Sequence, residues 1–154
     1  MRTKTILACL ALLLAGVSLC FAEDPQLGTW KLNEAKSKID PQGTKNTTVV
    51  YAMAGDSVKV TVDGVDKDGK PSHNEWTGKF DGKEYAVTGD PTSDKRSYKK
   101  VNPHTLSLTA KKGTAVTLSG TIVVAPDGKT RTVTVTGTDP SGKKITNTAV
   151  YDKQ

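Results

Sequence analysis

The chain is poor in the residues that most often carry chemistry. Of its 154 residues, two are Cys and two are His, and aromatic side chains make up 5%. Both cysteines, Cys9 and Cys20, fall within the first 22 residues. The rest of the chain has no thiol to pair, to oxidise or to offer a metal. The histidines, His73 and His104, stand far apart, and there is no HExxH pair, so a zinc site is not expected. No G-x-S-x-G elbow occurs. Asp66, Asp68 and Gly69 in "DKDGK" lack the further acidic ligands of a calcium loop and read as a hairpin turn. These absences lead us to expect no catalysis, no metal and no cofactor.

Long apolar runs are also scarce. The main one, Ile6 to Val17, is shorter than the ~20 residues a spanning helix needs. It follows Arg2 and Lys4 and precedes Cys20-Phe21-Ala22, with small residues three and one before a cleavage point. That is the layout of a secretory signal peptide over residues 1–22. We expect a mature chain Glu23–Gln154, 154 − 22 = 132 residues forming one domain, secreted or periplasmic, soluble and monomeric. Lipidation at Cys20 would want a small residue before it, and Leu19 stands there. "NTT" at Asn46 fits a glycosylation sequon, which matters only in a eukaryotic secretory pathway. The formal charge of +6 falls to +4 when Arg2 and Lys4 are removed (6 − 2). The lysines are scattered and aromatics few, so a nucleic-acid partner is not expected.

What is abundant is Val, Thr, Lys and Gly in a two-residue rhythm. Val58, Val60 and Val62 alternate with Lys59, Thr61 and Asp63; Val133 and Val135 alternate with Thr132, Thr134 and Thr136. Half-buried strands read this way. Gly55-Asp56, Asp68-Gly69, Asp81-Gly82, Asn102-Pro103, Asp127-Gly128 and Ser141-Gly142 punctuate the runs as turns. The pattern predicts ten strands, at 28–32, 46–54, 57–65, 71–80, 83–88, 94–101, 104–111, 114–125, 129–138 and 143–152. Only "NEAKSKID" departs from it, with room for one or two helical turns before Pro41. Val60–Asn74 and Val133–Asn147 echo each other as V-T-V-x-G-x-D-x-x-G-K-x-x-x-N, which reads as two long hairpins with a glycine bulge at Gly64 and Gly137.

So many short antiparallel strands are best closed into a barrel, which removes both edges. The fold expected is all-β, an up-and-down meander of about ten strands. Its interior would collect Val58, Val60, Val62, Trp76, Phe80, Tyr85, Val87, Leu106, Leu108, Val116, Leu118, Ile122, Val133, Val135, Ile145 and Tyr151.

Gly28-Thr29-Trp30-Lys31-Leu32 resembles the first-strand Gly-x-Trp motif of the calycins, the group of lipocalins and fatty-acid-binding proteins. "NTAVYDKQ" resembles the last strand of the latter, and the whole chain is similar to small secreted bacterial lipocalin-like proteins. The middle of the chain matches in pattern only. The resemblance implies a carrier of an apolar or amphipathic small molecule. It also implies that Gly28 and Trp30 close one barrel end, with the ring under a basic side chain from a late strand, for which Arg131 is a possible partner. Two departures stand out. The family's Arg-x-Tyr pair on the last strand corresponds to Ala149 and Tyr151, so the cation is missing, and Asn33–Lys45 is too short for the family's two-helix lid. Ligand-binding candidates are Trp76, Tyr85, Tyr98 and Tyr151, with Arg131 and Arg96 as anion partners; for Trp76 a filled core, and for Tyr98 a surface position, are the competing readings. A second function class stays open: a filled, non-catalytic barrel whose basic outer face binds an envelope component or a protein partner.

Overall fold

The computed structural model describes residues 22–138 and 141–154. The expected signal peptide, residues 1–22, lies outside them apart from Ala22. The chain forms ten antiparallel strands: β1 Gly28–Leu32, β2 Lys45–Ala54, β3 Ser57–Val65, β4 Pro71–Gly78, β5 Tyr85–Thr88, β6 Lys95–Asn102, β7 Thr105–Lys112, β8 Ala115–Val124, β9 Thr130–Thr138 and β10 Lys144–Lys153. Each pairs with its neighbour in sequence, and β10 returns to β1 through Trp30↔Lys153 and Leu32↔Tyr151, closing the barrel. The expected meander and its closure are what the structure has, with strand ends shifted by at most two residues.

The alternation does the folding work. Val58, Val60 and Val62 face in and are buried, as are Leu106, Leu108, Ile122 and Val124. Burial of each such side chain is worth about 1.5–3 kcal/mol. Between β3 and β4, the Asp66 carboxylate accepts the backbone N–H groups of Asp68 and Lys70, both at 2.9 Å, and Gly69 takes φ +77°. Of the acidic pair in "DKDGK", Asp66 is thus spent on turn geometry and the Asp68 carboxylate accepts from Lys67 Nζ at 2.8 Å.

"NEAKSKID" makes less helix than its composition allows, a single 3-10 turn at Glu34–Lys36. The reason is β10, which claims the backbone on both sides of it. Asn33 N–H donates to Val150 O at 2.8 Å and Lys38 N–H to Thr148 O at 2.7 Å. The segment is an excursion from β1 that rejoins the sheet and packs Ile39 against the core.

The bulges also differ from expectation. Gly64 and Gly137 are not bulged themselves. The register shifts lie on their neighbours, between Asn46 and Thr48 on β2 and around Thr117 on β8. A Cβ at Gly64 would stand 2.2 Å from Lys45 O, and one at Gly137 would stand 2.8 Å from Thr117 O. Each glycine makes room for the neighbouring strand's irregular backbone. The extra residue at Thr117 resets the inside–outside alternation. Val116, expected inside, is therefore 56% exposed.

Candidate functional site

The strands alternate in direction, so the barrel has two distinct ends. The chain enters at one, beside the β2–β3, β4–β5, β6–β7 and β8–β9 turns. This end is plugged. Trp30 is fully buried and its indole N–H donates to Gln26 O at 3.0 Å. Gln26, also fully buried, donates from Nε2 to His104 O at 3.2 Å, tying the entering chain to the β6–β7 turn. The Arg131 guanidinium, on β9, lies 4.9 Å from the Trp30 ring, 4.7 Å from Tyr51 and 5.0 Å from Tyr151. Lys153 Nζ lies 5.3 Å from Trp30. The Gly-x-Trp spacing thereby acquires a physical cause: a Cβ at Gly28 would stand 2.7 Å from Lys153 Cε, so glycine lets that side chain reach the ring.

A second cluster continues the plug toward β4–β6. Trp76 stacks on Phe80 (6.4 Å, 11°) and meets Tyr98 (4.7 Å, 71°) and Tyr85 (5.6 Å, 84°) edge-on. Tyr51 joins Phe80 and Tyr98 at 6.3 and 6.2 Å. Gly78 admits these rings, because a Cβ there would meet Tyr85 and Trp76 carbons at 2.5 and 2.7 Å. The Trp76 indole N–H donates to Arg96 O at 2.9 Å, reaching from β4 to β6 across the four-residue β5.

Midway through the barrel the interior turns polar. Arg96 donates to Asp90 at 3.1 Å and to Asn74 at 3.3 Å, and its Nη1 lies 3.5 Å from the Tyr98 hydroxyl. Asp90 also accepts from Thr92 and from the buried Ser93. Burial alone would raise the Asp90 pKa, yet its bonds to Ser93 and Thr92 and the nearby Arg96 hold it below the ordinary value. Burial opposes the Arg96 charge, but Tyr98, Asp90 and Tyr51 more than offset it. Burial, with Tyr98 beside it, pushes the Tyr51 phenol up against the pull of Arg131 and Arg96. Burial likewise pushes Tyr151 up to about 12, against the pull of Arg131. These two phenols are therefore neutral donors at pH 7. Arg131 is 2% exposed and, among the described residues, has no ion-pair partner; its Nε and Nη1 are buried and unbonded. The interior holds two guanidiniums and, in Asp90, the carboxylate of one of them.

Toward the opposite end the inner wall thins. Leu118, Val133, Val135, Ile145 and Asn147 occupy inward positions yet are only half-buried. Inward positions here are also small: Gly64, Ser72, Ala110, Gly120 and Gly137. Inward side chains of this half are partly exposed, whereas Trp30, Tyr51, Trp76 and Tyr98 of the plugged half are buried.

The structure thus brings Trp76, Tyr85 and Tyr98 into one cluster, with Arg96 beside it, and places Tyr151 and Arg131 in the adjoining cage with Trp30. Tyr98 is buried at 2% despite the irregular alternation of "DKRSYKKV". Tyr85 sits at the rim with its hydroxyl on Asp81 at 2.9 Å. Sequence reasoning missed Tyr51, which links the two clusters. Its signal was present in the alternation of Val49 and Tyr51 within "TTVVYA".

The closed ten-strand antiparallel barrel is consistent with a calycin-like barrel. Compared with protein-family models and with curated proteins, the chain matches none.

Proposed function

We propose that the protein is a secreted or periplasmic, lipocalin-like carrier that holds a small amphipathic molecule in the half of the barrel away from the Trp30 plug. It acts by binding and not by catalysis. The observation that carries this reading is the division of the interior into a sealed aromatic half and a half where inward side chains remain accessible to solvent. Val62, Leu118, Val133 and Val135 would wall the apolar part of the ligand. Arg131, whose charge has no carboxylate beside it among the described residues, and Arg96 favour an anionic group at the inner end. A buried cation gains more from an anion than an exposed one does, because less water screens it. The missing Arg before Tyr151 on the last strand is thereby answered from β9 and β6.

The test is intrinsic tryptophan fluorescence during titration with fatty acids, a retinoid and a hydrophobic dye. Saturable change supports the reading; its loss in Trp76→Phe places the anion toward Arg96, whose carbonyl Trp76 bonds, and its loss in Trp30→Phe places it toward Arg131, 4.9 Å from the Trp30 ring. A flat response from a cooperatively folded protein would refute it.

A further inference from the structure

The outer face of β6–β10 is built differently from the rest of the barrel surface. On β3–β4 the strands carry both signs, and Asp63 meets His73 at 2.6 Å and Glu75 meets Lys59 at 2.9 Å; on β6 and β7, Lys100 and Lys111 find their acids, Asp24 and Glu84, outside the strands. Strands β6, β7, β8 and β9 contain no Asp or Glu at all. Their outward positions are hydroxyls set in register. Ser97, Thr109, Ser119, Thr136 and Thr146 form one cross-strand row. Ser107, Thr121, Thr134 and Thr148 form the next, with Lys99 at one end and Lys38 at the other. Strand geometry spaces these hydroxyls about 4.8 Å across strands and about 6.7 Å along them. Within the rows, Thr136 and Thr146 share a hydroxyl contact at 3.3 Å, and the other hydroxyls have no side-chain partner among the described residues.

A shallow groove of about 230 Å³ is cut into this face where the Thr117 bulge passes over Gly137. Thr117, Ser119, Thr136, Thr138 and Lys144 supply its polar lining, and the exposed Val116 an apolar patch.

We propose that this groove and its hydroxyl rows bind a linear acidic polysaccharide. Hydroxyls donate and accept, so a row of them matches a polymer that carries hydroxyls on every unit. The Val116 side chain offers a contact for the apolar face of a sugar ring. Lysines stand at the borders of the field, not through it, which suits a polymer with at most one carboxylate per sugar unit and hydroxyls on the rest of each ring. A nucleic acid, with a charge about every 1.7 Å of duplex, calls for denser cations. Its bases would also want stacking platforms, whereas Trp30, Trp76, Tyr51, Tyr98 and Tyr151 all point inward and are buried. Leu118 and Gly137, at inward positions, line the groove too, so it adjoins the thin part of the barrel wall; the proposal rests on the outward side chains and does not depend on the carrier reading.

The experiment is retardation of the protein in gels containing polygalacturonate, dextran or a single-stranded oligothymidylate, with phosphatidylglycerol vesicles tested by flotation. Polygalacturonate is expected to retard the protein, less so as salt is raised, and dextran at least about tenfold less well. Lys144→Glu and the double variant Ser119→Ala/Thr136→Val should each weaken that retardation by about fivefold or more, the loss of roughly one charge or hydrogen-bond contribution. Thermal unfolding checks that the double variant is folded; Lys144→Glu, at an exposed rim, tests the site without touching the sheet interior. No retardation by polygalacturonate, equal retardation of wild type and Lys144→Glu, or tighter binding to the oligonucleotide or vesicles would each overturn the proposal.

Discussion

Trp30 has cations from two strands near its ring, Arg131 of β9 and Lys153 of β10, and its N–H is bonded to Gln26. A double-mutant cycle between Trp30→Phe and Arg131→Met should return a coupling of about 0.5–2 kcal/mol by denaturant unfolding; a coupling near zero would mean the ring packs beside the guanidinium without being held by it. Of this cage, Gly28, Trp30 and a possible basic partner were named from the Gly-x-Trp motif, and the physical reason for glycine at position 28 was not legible. Lys153 sits at the far end of the sequence, and only the β1–β10 register shows that a side chain at Gly28 would block it. At the surface, the His73 Nδ1–H donates to the Asp63 carboxylate at 2.6 Å and Nε2 lies 3.6 Å from Glu75, and the bond to Asp63 raises the His73 pKa. A raised folded-state pKa means stability present below the ordinary His value and lost as pH rises through the folded one. The wild type should therefore be more stable relative to His73→Gln at about pH 5 than at about pH 8.5, with a modest gap because the pair is exposed to water. Equal melting differences at both pH values would contradict the assignment.

At the scale of elements, β5 is the thin seam of the barrel. It has two registered pairs with β4 and two with β6. The Trp76 indole spans it by bonding Arg96 O. Trp76→Phe should cost about 1–3 kcal/mol through the lost bond and lost packing, and should speed hydrogen exchange on β5 and β6 before the rest of the sheet. Uniform exchange across all strands would deny the seam. Close backbone approach gives a second contrast. A Cβ at Gly120 would stand 2.0 Å from Thr134 O, while at Gly113, with φ +59°, it would meet nothing within 4 Å. Gly120→Ala should destabilise by about 1–3 kcal/mol or more, because backbone must move. Gly113→Ala should cost about 1–2 kcal/mol, from the left-handed backbone alone. The strands themselves were plain in the sequence, since alternation and turn dipeptides are local signals. The bulge at Thr117 was not, because it depends on how β8 meets β7 and β9, and Val116 was misplaced for that reason. The single 3-10 turn in place of one or two helical turns has a similar cause, the backbone bonds that β10 makes on either side of it.

For the molecule as a whole, closure answers how a chain without disulfides among its described residues hides every strand edge. The sequence could count the strands and point to a barrel. It could not say that the aromatics gather in one half, because that depends on where each ring lies along a tilted strand. Tyr51, Trp76, Phe80 and Tyr98 come from β2, from β4 and the chain just after it, and from β6, and meet only once the barrel is closed. The result is a plug at one end, a charged middle and a thinly walled remainder, and the proposed carrier function rests on that division. The most direct measurement is calorimetric titration of the protein with dodecanoate and with dodecanol, in the wild type and in Arg131→Gln. Saturable one-to-one binding of dodecanoate, weakened about tenfold or more by Arg131→Gln while dodecanol is little affected, is the result expected for an anion held by the uncompensated guanidinium. Absence of saturable heat with either molecule, or equal dodecanoate affinity in the two proteins, would contradict it.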